Sequence, residues 1–338
     1  MIKYFIAVLI IANFISCKEN INEVINEKNY EPLDVVEISE GNVWLPTAVL
    51  PDTGDTIHYV KTLDITVSEL NEILVATDFA GVFNSKDGGN IWTIQNNGIS
   101  PSGSIYGKET YFTSAIGSLN QYEFVGTDNG IYLSTNNGNN WLLSKQWNDY
   151  NYICLFRPKN KGEMYAGSYR GILKTDDFGK TWRDISTNLN WDNLAYAYDL
   201  EFTKEGTLYV ATAKGLVRTY NDGKEWEYLG IQDQTLDVEV SPNGFIYSAV
   251  YNKLYLSKDN GQNWESIFDE DSFIECVLVN KANTIFICCY KGVYRSKDEG
   301  VSWELIGLQN LLPRKIFYDR YGNLIVGTIR KGVFISHN

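Results

Sequence analysis

SKDNGQNW, residues 257–264, sets a tryptophan three positions after a glycine, an aspartate two before that glycine and a serine two before the aspartate. The same spacing recurs in SKDGGNIW (85–92), STNNGNNW (134–141), TDDFGKTW (175–182), TYNDGKEW (219–226) and SKDEGVSW (296–303). The tryptophans Trp92, Trp141, Trp182, Trp226, Trp264 and Trp303 are separated by 49, 41, 44, 38 and 39 residues. A period near 40 signals a propeller or a solenoid. No ligand is needed to explain the octapeptide. Asp87, Asn136, Asp177, Asn221, Asp259 and Asp298 can accept hydrogen bonds from backbone N–H groups about two residues on, and glycine tolerates the positive φ of a tight turn. The tryptophan opens the outgoing strand and offers a large apolar plate between neighbouring sheets.

Before each turn comes an apolar strand, two to four variable residues, a glycine and an alternating strand, as in FVGTDNGIYLS, MYAGSYRGILKT and IFICCYKGVYRS. Further upstream another strand ends in a turn, as in LEFTKEG before TLYVAT and VEVSPNG before FIYSAV. Four short strands in a meander make one propeller blade, and no stretch has helical periodicity. A seventh repeat stops at Ser336 and Asn338, where its fourth strand is due. In GNVWLPTAV (41–49), Gly41 and Trp44 keep the glycine-to-tryptophan spacing, so residues 36–50 are expected to supply the missing outer strand. The expected fold is an all-β, seven-bladed β-propeller of four-stranded blades over residues 36–338, its last blade closed by an N-terminal strand.

The octapeptides resemble Asp-box, or BNR, repeats over roughly residues 40–338. Such propellers include sialidases, xyloglucanases, the sortilin ectodomain and photosystem II assembly and stability factors. The resemblance implies that the boxes lie on the face away from any active site. No cofactor and no metal are expected, since neither metal-ligand spacing nor a nucleotide-binding motif occurs. Sialidases of this kind clamp a carboxylate with three arginines, the first in the first blade; here no arginine precedes Arg157, and FRP (156–158) lacks the isoleucine of the Phe-Arg-Ile-Pro motif. ATDFAGVF resembles the xyloglucanase segment whose aspartate is the general base, which makes Asp78 the one catalytic candidate. Glycoside hydrolysis needs a second carboxyl, for which Asp149 and Asp192 are candidates. Asp128 in FVGTDNGIY has nearly the same setting, which equally suits a structural or surface role for Asp78.

The net charge of −13 and pI near 4.7 oppose nucleic-acid binding, which requires a basic face. MIKYFIAVLIIANFISC carries an early lysine and an apolar run too short to span a bilayer as a helix. FISC resembles the lipobox of bacterial lipoproteins, whose cysteine is diacylated and becomes residue one. Residues 1–16 then form a signal peptide, and Cys17 with the polar stretch to residue 35 forms a lipidated tether. A plain signal peptide with an incidental cysteine is the other reading. The remaining cysteines, Cys154, Cys276, Cys288 and Cys289, lie in apolar strand-like runs without metal-ligand spacing, as buried thiols or with Cys276 bridged across a hairpin. The two histidines, His58 and His337, cannot build a metal centre.

A meander sends its second and inter-blade connections to the face opposite the boxes. That face is expected to display Asp78, Phe79, Asp128, Tyr169, Arg170, Lys214, Tyr251, Tyr290, Lys291 and Arg330. Longer inter-blade segments at 95–112, 145–152 and 186–198 add Trp147, Tyr150 and Trp191. Variation there against constant boxes suits a recognition surface on a rigid scaffold. Aromatic plates beside amides can stack on sugars or anchor a protein, and they can equally fill space between blades. The sequence is thus read as an exported, lipid-anchored and monomeric module of the outer membrane or cell surface, non-catalytic, binding an envelope protein or an extracellular glycan. The alternative is a glycoside hydrolase acting on extracellular glycans.

Overall fold

Twenty-eight of the strands in the computed structural model fall into seven antiparallel four-stranded sheets, and two short strands form a separate hairpin. The structure describes residues 43–46, 61–105, 108–146, 153–158, 162–169, 171–190, 194, 196–329 and 331–337. Cys17, Trp147, Tyr150, Asp149, Arg170, Trp191, Asp192 and Arg330 lie outside the described residues. Blades 1 to 6 each run through four consecutive strands, beginning with Thr62–Val67, Thr113–Leu119, Ile153–Pro158, Ala197–Phe202, Thr235–Val240 and Ile274–Val279. Blade 7 begins at Pro313–Tyr318, and its outer strand is Val43–Pro46, paired antiparallel with Gly332–His337. Trp44 faces Ser336 across that ladder, as Trp264, one residue before Glu265, the partner of Leu256, comes level with Ser257 in blade 5. The N-terminal strand therefore takes the tryptophan position of the seventh box.

Each box is a turn with two hydrogen-bonded halves. In blade 6 the Ser296 hydroxyl accepts from the Gly300 N–H (2.9 Å), and Asp298 Oδ1 accepts from the Ser302 N–H (2.9 Å). The aspartate reaches four residues forward rather than two, because a second left-handed residue lengthens the turn. Glu299 and Gly300 both have positive φ (57° and 91°), as do Asp222 and Gly223 (61° and 83°). A Cβ on Gly223 would also lie 1.9 Å from the Ile185 carbonyl oxygen of the preceding blade, so only glycine fits.

The tryptophans pack onto the preceding blade. Trp141 joins Leu74, Ala76 and Val82 of blade 1, and Trp92 joins Ile325, Val333 and Ile335 of blade 7. Trp141 Nε1 donates to the Gln95 carbonyl (2.7 Å), whereas buried Trp92 Nε1 has no partner. Trp141→Phe is therefore expected to cost about 1 kcal/mol more than Trp92→Phe, since only the first breaks a hydrogen bond, to the half-buried Gln95 carbonyl; urea unfolding of both variants checks this.

Neighbouring first strands contact one another all round the ring, so they line the axis. Each carries a register shift near its start, and the residue just after it is Asp64, Asp199 and Asp237 in blades 1, 4 and 5. These carboxylates accept the N–H of Ile116 (3.0 Å), Val238 (3.2 Å) and Val277 (2.5 Å) on the following blade. Arg157 belongs to the same ring: its Nε donates to the Leu200 carbonyl (2.6 Å), and its guanidinium pairs with Asp199 (3.4 Å) and Glu201 (3.1 Å). The FRP stretch is thus an inter-blade tie. Cys276 lies opposite Cys288 in the ladder, and both, with Cys289, are buried free thiols. Burial pushes the Cys276 and Cys288 thiols well above their ordinary range, which makes them unreactive at neutral pH.

Candidate functional site

The second connections emerge on the side away from the boxes, and blades 5 and 6 bring two of them, with the inter-blade segment between, into one site. Tyr251 and Asn252 connect Ile246–Val250 to Lys253–Ser257, and Tyr290 and Lys291 connect Ile285–Cys289 to Gly292–Ser296. In blade 5 lysine stands where blades 4 and 6 have glycine, and the positive φ of the turn falls on Tyr251 (52°) instead. Left-handed backbone is uncommon at an aromatic residue and marks a position held by its surroundings. Those surroundings are the inter-blade segment 270–274. The Tyr251 carbonyl accepts the Ile274 N–H (2.8 Å), the Phe273 carbonyl accepts the Tyr290 N–H (3.3 Å), and Ser272 Oγ accepts the Lys291 N–H (3.1 Å).

Phe273 is thereby fixed between the two tyrosines. Its ring centroid is 6.0 Å from that of Tyr251 and 5.9 Å from that of Tyr290, at interplanar angles of 65° and 45°. The three rings remain 40%, 46% and 38% exposed for Tyr251, Phe273 and Tyr290, an open aromatic patch. They border a cleft of about 510 Å³ rimmed by Asn252, Asp271, Ser272, Lys291 and Asn310. Lys291 is held by Glu270 (2.9 Å), which leaves the rim with hydroxyl, amide and carboxylate groups to orient a ligand. Burial, with Glu275 beside it, pushes the Tyr290 phenol up to about 12, so it stays a hydrogen-bond donor at neutral pH.

A second aromatic string crosses blades 3 and 4 on the same face. Tyr169 lies 4.5 Å from Tyr196, which stacks on Tyr198 at 5.6 Å and 14°, and Gln234 donates to the Tyr198 hydroxyl (3.0 Å). These rings are half-buried, and Lys214 beside them is exposed.

Blade 1 departs from expectation. Its second connection is covered by the 95–112 segment, which forms the hairpin Gly103–Ile105 and Lys108–Thr110 and then crosses over as the Phe79 carbonyl accepts the Tyr111 N–H (2.9 Å). Asp78 is only 7% exposed and pairs with Lys61 (3.4 Å), and Phe79 is half-buried. Burial raises the Asp78 carboxyl and Lys61 opposes the rise. Asp128 accepts from Ser102 Oγ (2.7 Å), which in turn takes the Phe112 N–H, so it anchors the insertion. Asp78, Phe79 and Asp128 therefore belong to the framework of blades 1 and 2 rather than to an open surface. Phe273, Asp271 and Asn310 escaped sequence reading because their short inter-blade segments have no length or composition to mark them.

No protein-family model matches the chain, and no curated protein matches it. Solved structures do. The extracellular domain of the one component system BT4673 from B. thetaiotaomicron aligns with a TM-score of 0.68 at 15% identity, over 87% of this chain and 40% of that one. YCF48 bound to D1 peptide aligns at 0.66 and 13% identity, over 90% and 97%. The GH74 xyloglucanase from Xanthomonas campestris aligns at 0.63 and 13%, over 88% and 54%. The chain thus spans about two fifths of the BT4673 domain and about half of the xyloglucanase. At such identities the likeness concerns the fold, a seven-bladed propeller whose neighbours serve unrelated ends.

Proposed function

We propose that the protein is an exported, lipid-anchored binding module that takes an extracellular glycan, or a protein of the cell envelope, on the face opposite its boxes. The observation that carries this reading is the open row Tyr251, Phe273 and Tyr290 over a cleft with a polar rim. The rings lie at steep angles to one another, which suits a ligand that presents apolar faces in several directions and hydroxyls between them, as a glycan chain does. Alanine at Tyr251 and Tyr290 together is expected to weaken glycan binding at least about tenfold while leaving the melting temperature within about 2 °C, since both rings are exposed. A glycan array with wild-type and variant protein reads this directly. Binding that survives both substitutions rejects the cleft. Binding of an envelope protein with no glycan signal keeps the face and changes the ligand.

A hydrolase is the second reading, and one observation favours it: Asp78 Oδ1 is buried without a hydrogen-bond partner and its carboxyl is raised by burial. Among the described residues the cleft itself is lined by a single carboxylate, Asp271, where glycoside hydrolysis requires two. Cleavage of an array glycan that is lost in Asp78→Asn would establish the hydrolase; cleavage unaffected by that change would remove Asp78 from the chemistry.

A further inference from the structure

Blade 2 breaks the repeat at one core position. The second-strand residue opposite the first box residue is Ile73, Met164, Leu208, Ile246, Ile285 or Leu324 in six blades, and Glu123, facing Ser134, in blade 2. All are buried alike, Glu123 at 1% exposure. A carboxyl in an aliphatic slot costs stability, and here Glu123 Oε2 has no hydrogen-bond partner to offset that. A repeat that abandons its own core rule at one blade is where a function is to be sought.

Glu123 borders a cleft of about 360 Å³ between the first turns of blades 1 and 2 and the blade 2 box. Glu69 lines the same cleft with the oxygen-bearing side chains of Ser68, Asn120 and Thr135. Behind it Glu72, 8% exposed, holds Asn84 Nδ2 (2.8 Å) and is 3.7 Å from the ammonium of Lys86. We propose that this cleft binds a primary ammonium group, a lysine side chain of a polypeptide or a free alkylamine, with Glu123 as its counter-ion. The site lies on the box face and is independent of the aromatic cleft.

The chemistry of the lining selects the ligand. Two glutamates and residues with neutral oxygens line the space, and the cation that acts on Glu123, Lys86, is engaged with Glu72. A divalent metal is disfavoured, because among the described residues no three His, Cys, Asp or Glu side chains come together as ligands. A guanidinium prefers both oxygens of a carboxylate, whereas Glu123 leaves Oε2 alone without a partner. An ammonium is a compact donor that a single oxygen can meet, its other N–H groups turning to the neutral acceptors. Desolvation pushes the Glu123 carboxyl up to about 7, with Glu72 adding to the rise and the Gly138 N–H and Lys86 opposing it. Glu123 thus holds its proton more readily than an ordinary glutamate, and a bound ammonium favours the release of that proton.

Calorimetric titration of the propeller with N-acetyl-lysine methylamide and with cadaverine tests the assignment, with N-acetyl-arginine methylamide and calcium chloride as controls. Saturable binding of an alkylammonium is expected, with affinity rising about tenfold from pH 6 to pH 8 as Glu123 ionises. Glu123→Gln should weaken it at least about tenfold. Glu123→Leu, which restores the residue type of the other blades, should abolish it while raising the melting temperature. Preference for the capped lysine assigns a polypeptide partner and preference for cadaverine a free amine. Failure of both to bind, equal binding to wild type and Glu123→Gln, or binding of calcium or arginine alone would overturn the proposal.

Discussion

Replacing Lys315 by methionine is expected to cost about 3 kcal/mol of stability at pH 8 and less than about 1 kcal/mol at pH 5. Lys315 lies on the first strand of blade 7, facing the axis with Arg157 of blade 3. Around them stand Asp64 of blade 1, Asp199 and Glu201 of blade 4, and Asp237 and Glu239 of blade 5, so carboxyls outnumber cations. Burial works against the charge on Lys315, but Asp237, Cys276, Asp199 and Asp64 override it and raise its pKa. Burial likewise raises the carboxyls of Asp64, Glu201, Asp237 and Glu239, and Lys315 or Arg157 restrains each of them. An acid raised on folding stabilises the native state below its unfolded pKa, and that contribution is lost as pH climbs through the folded value. The wild-type protein should therefore lose stability from about pH 5 upward. Without Lys315 the acids rise further and the slope steepens, because at pH 8 ionised carboxylates face one another with only Arg157 between them. At pH 5 the protonated acids have little need of a cation. In melting temperature the pH 8 loss corresponds to about 6 °C, at about 2 °C per kcal/mol for a chain of this size. A loss of equal size at both pH values would mean that Lys315 acts through packing alone.

What the chain discloses in advance follows from how local the physics is. The box is an eight-residue affair of one hydroxyl, one carboxylate or amide and a glycine, so six copies and a seventh cut short declare the blades and their count. The face opposite follows from meander topology, which puts Tyr251, Tyr290 and Lys291 in connections on that side. What stayed hidden depends on meetings between blades. Phe273 matters because its backbone is bonded to Tyr290 and its neighbour's to Tyr251, contacts that no spacing encodes. Asp78 looked open because T-D before glycine sits in a connection, and it is covered by a hairpin from another segment. The axial ring left a trace that repeat alignment on the box did not use: TLD occurs at 62–64 and again at 235–237, at the first-strand positions whose aspartates clamp the next blade. Aligning the second strands would have exposed Glu123 in the same way, as a carboxylate in a column of aliphatic residues.

Deleting residues 36–50 is expected to lower the melting temperature by about 6–10 °C, whereas deleting 18–35 should leave it unchanged. The outer strand Val43–Pro46 pairs with Phe334 to His337, and among the described residues no other segment is placed to replace it. Its loss strips blade 7 to three strands and bares the edge of Gly332–His337. With roughly four ladder hydrogen bonds at about 1 kcal/mol each, the direct cost is about 3–5 kcal/mol. The larger consequence is topological. While the first and last strands are paired, blade 1 cannot leave blade 7 without breaking a sheet; once unpaired, the ring depends at that seam on packing alone, including Trp92 against Ile325, Val333 and Ile335. An open strand edge is also a template for another chain, so the shortened protein should associate at concentrations where the full propeller does not. A synthetic peptide of residues 36–50 should recover the lost stability in proportion to the logarithm of its concentration, because it binds only the folded ring. Unchanged melting of the shortened protein would show that the seven blades hold their circle by lateral packing and that the terminal strand is dispensable. Recovery by the peptide, and not by one with Leu45 replaced by proline, would show that backbone pairing at this single strand fastens the ring.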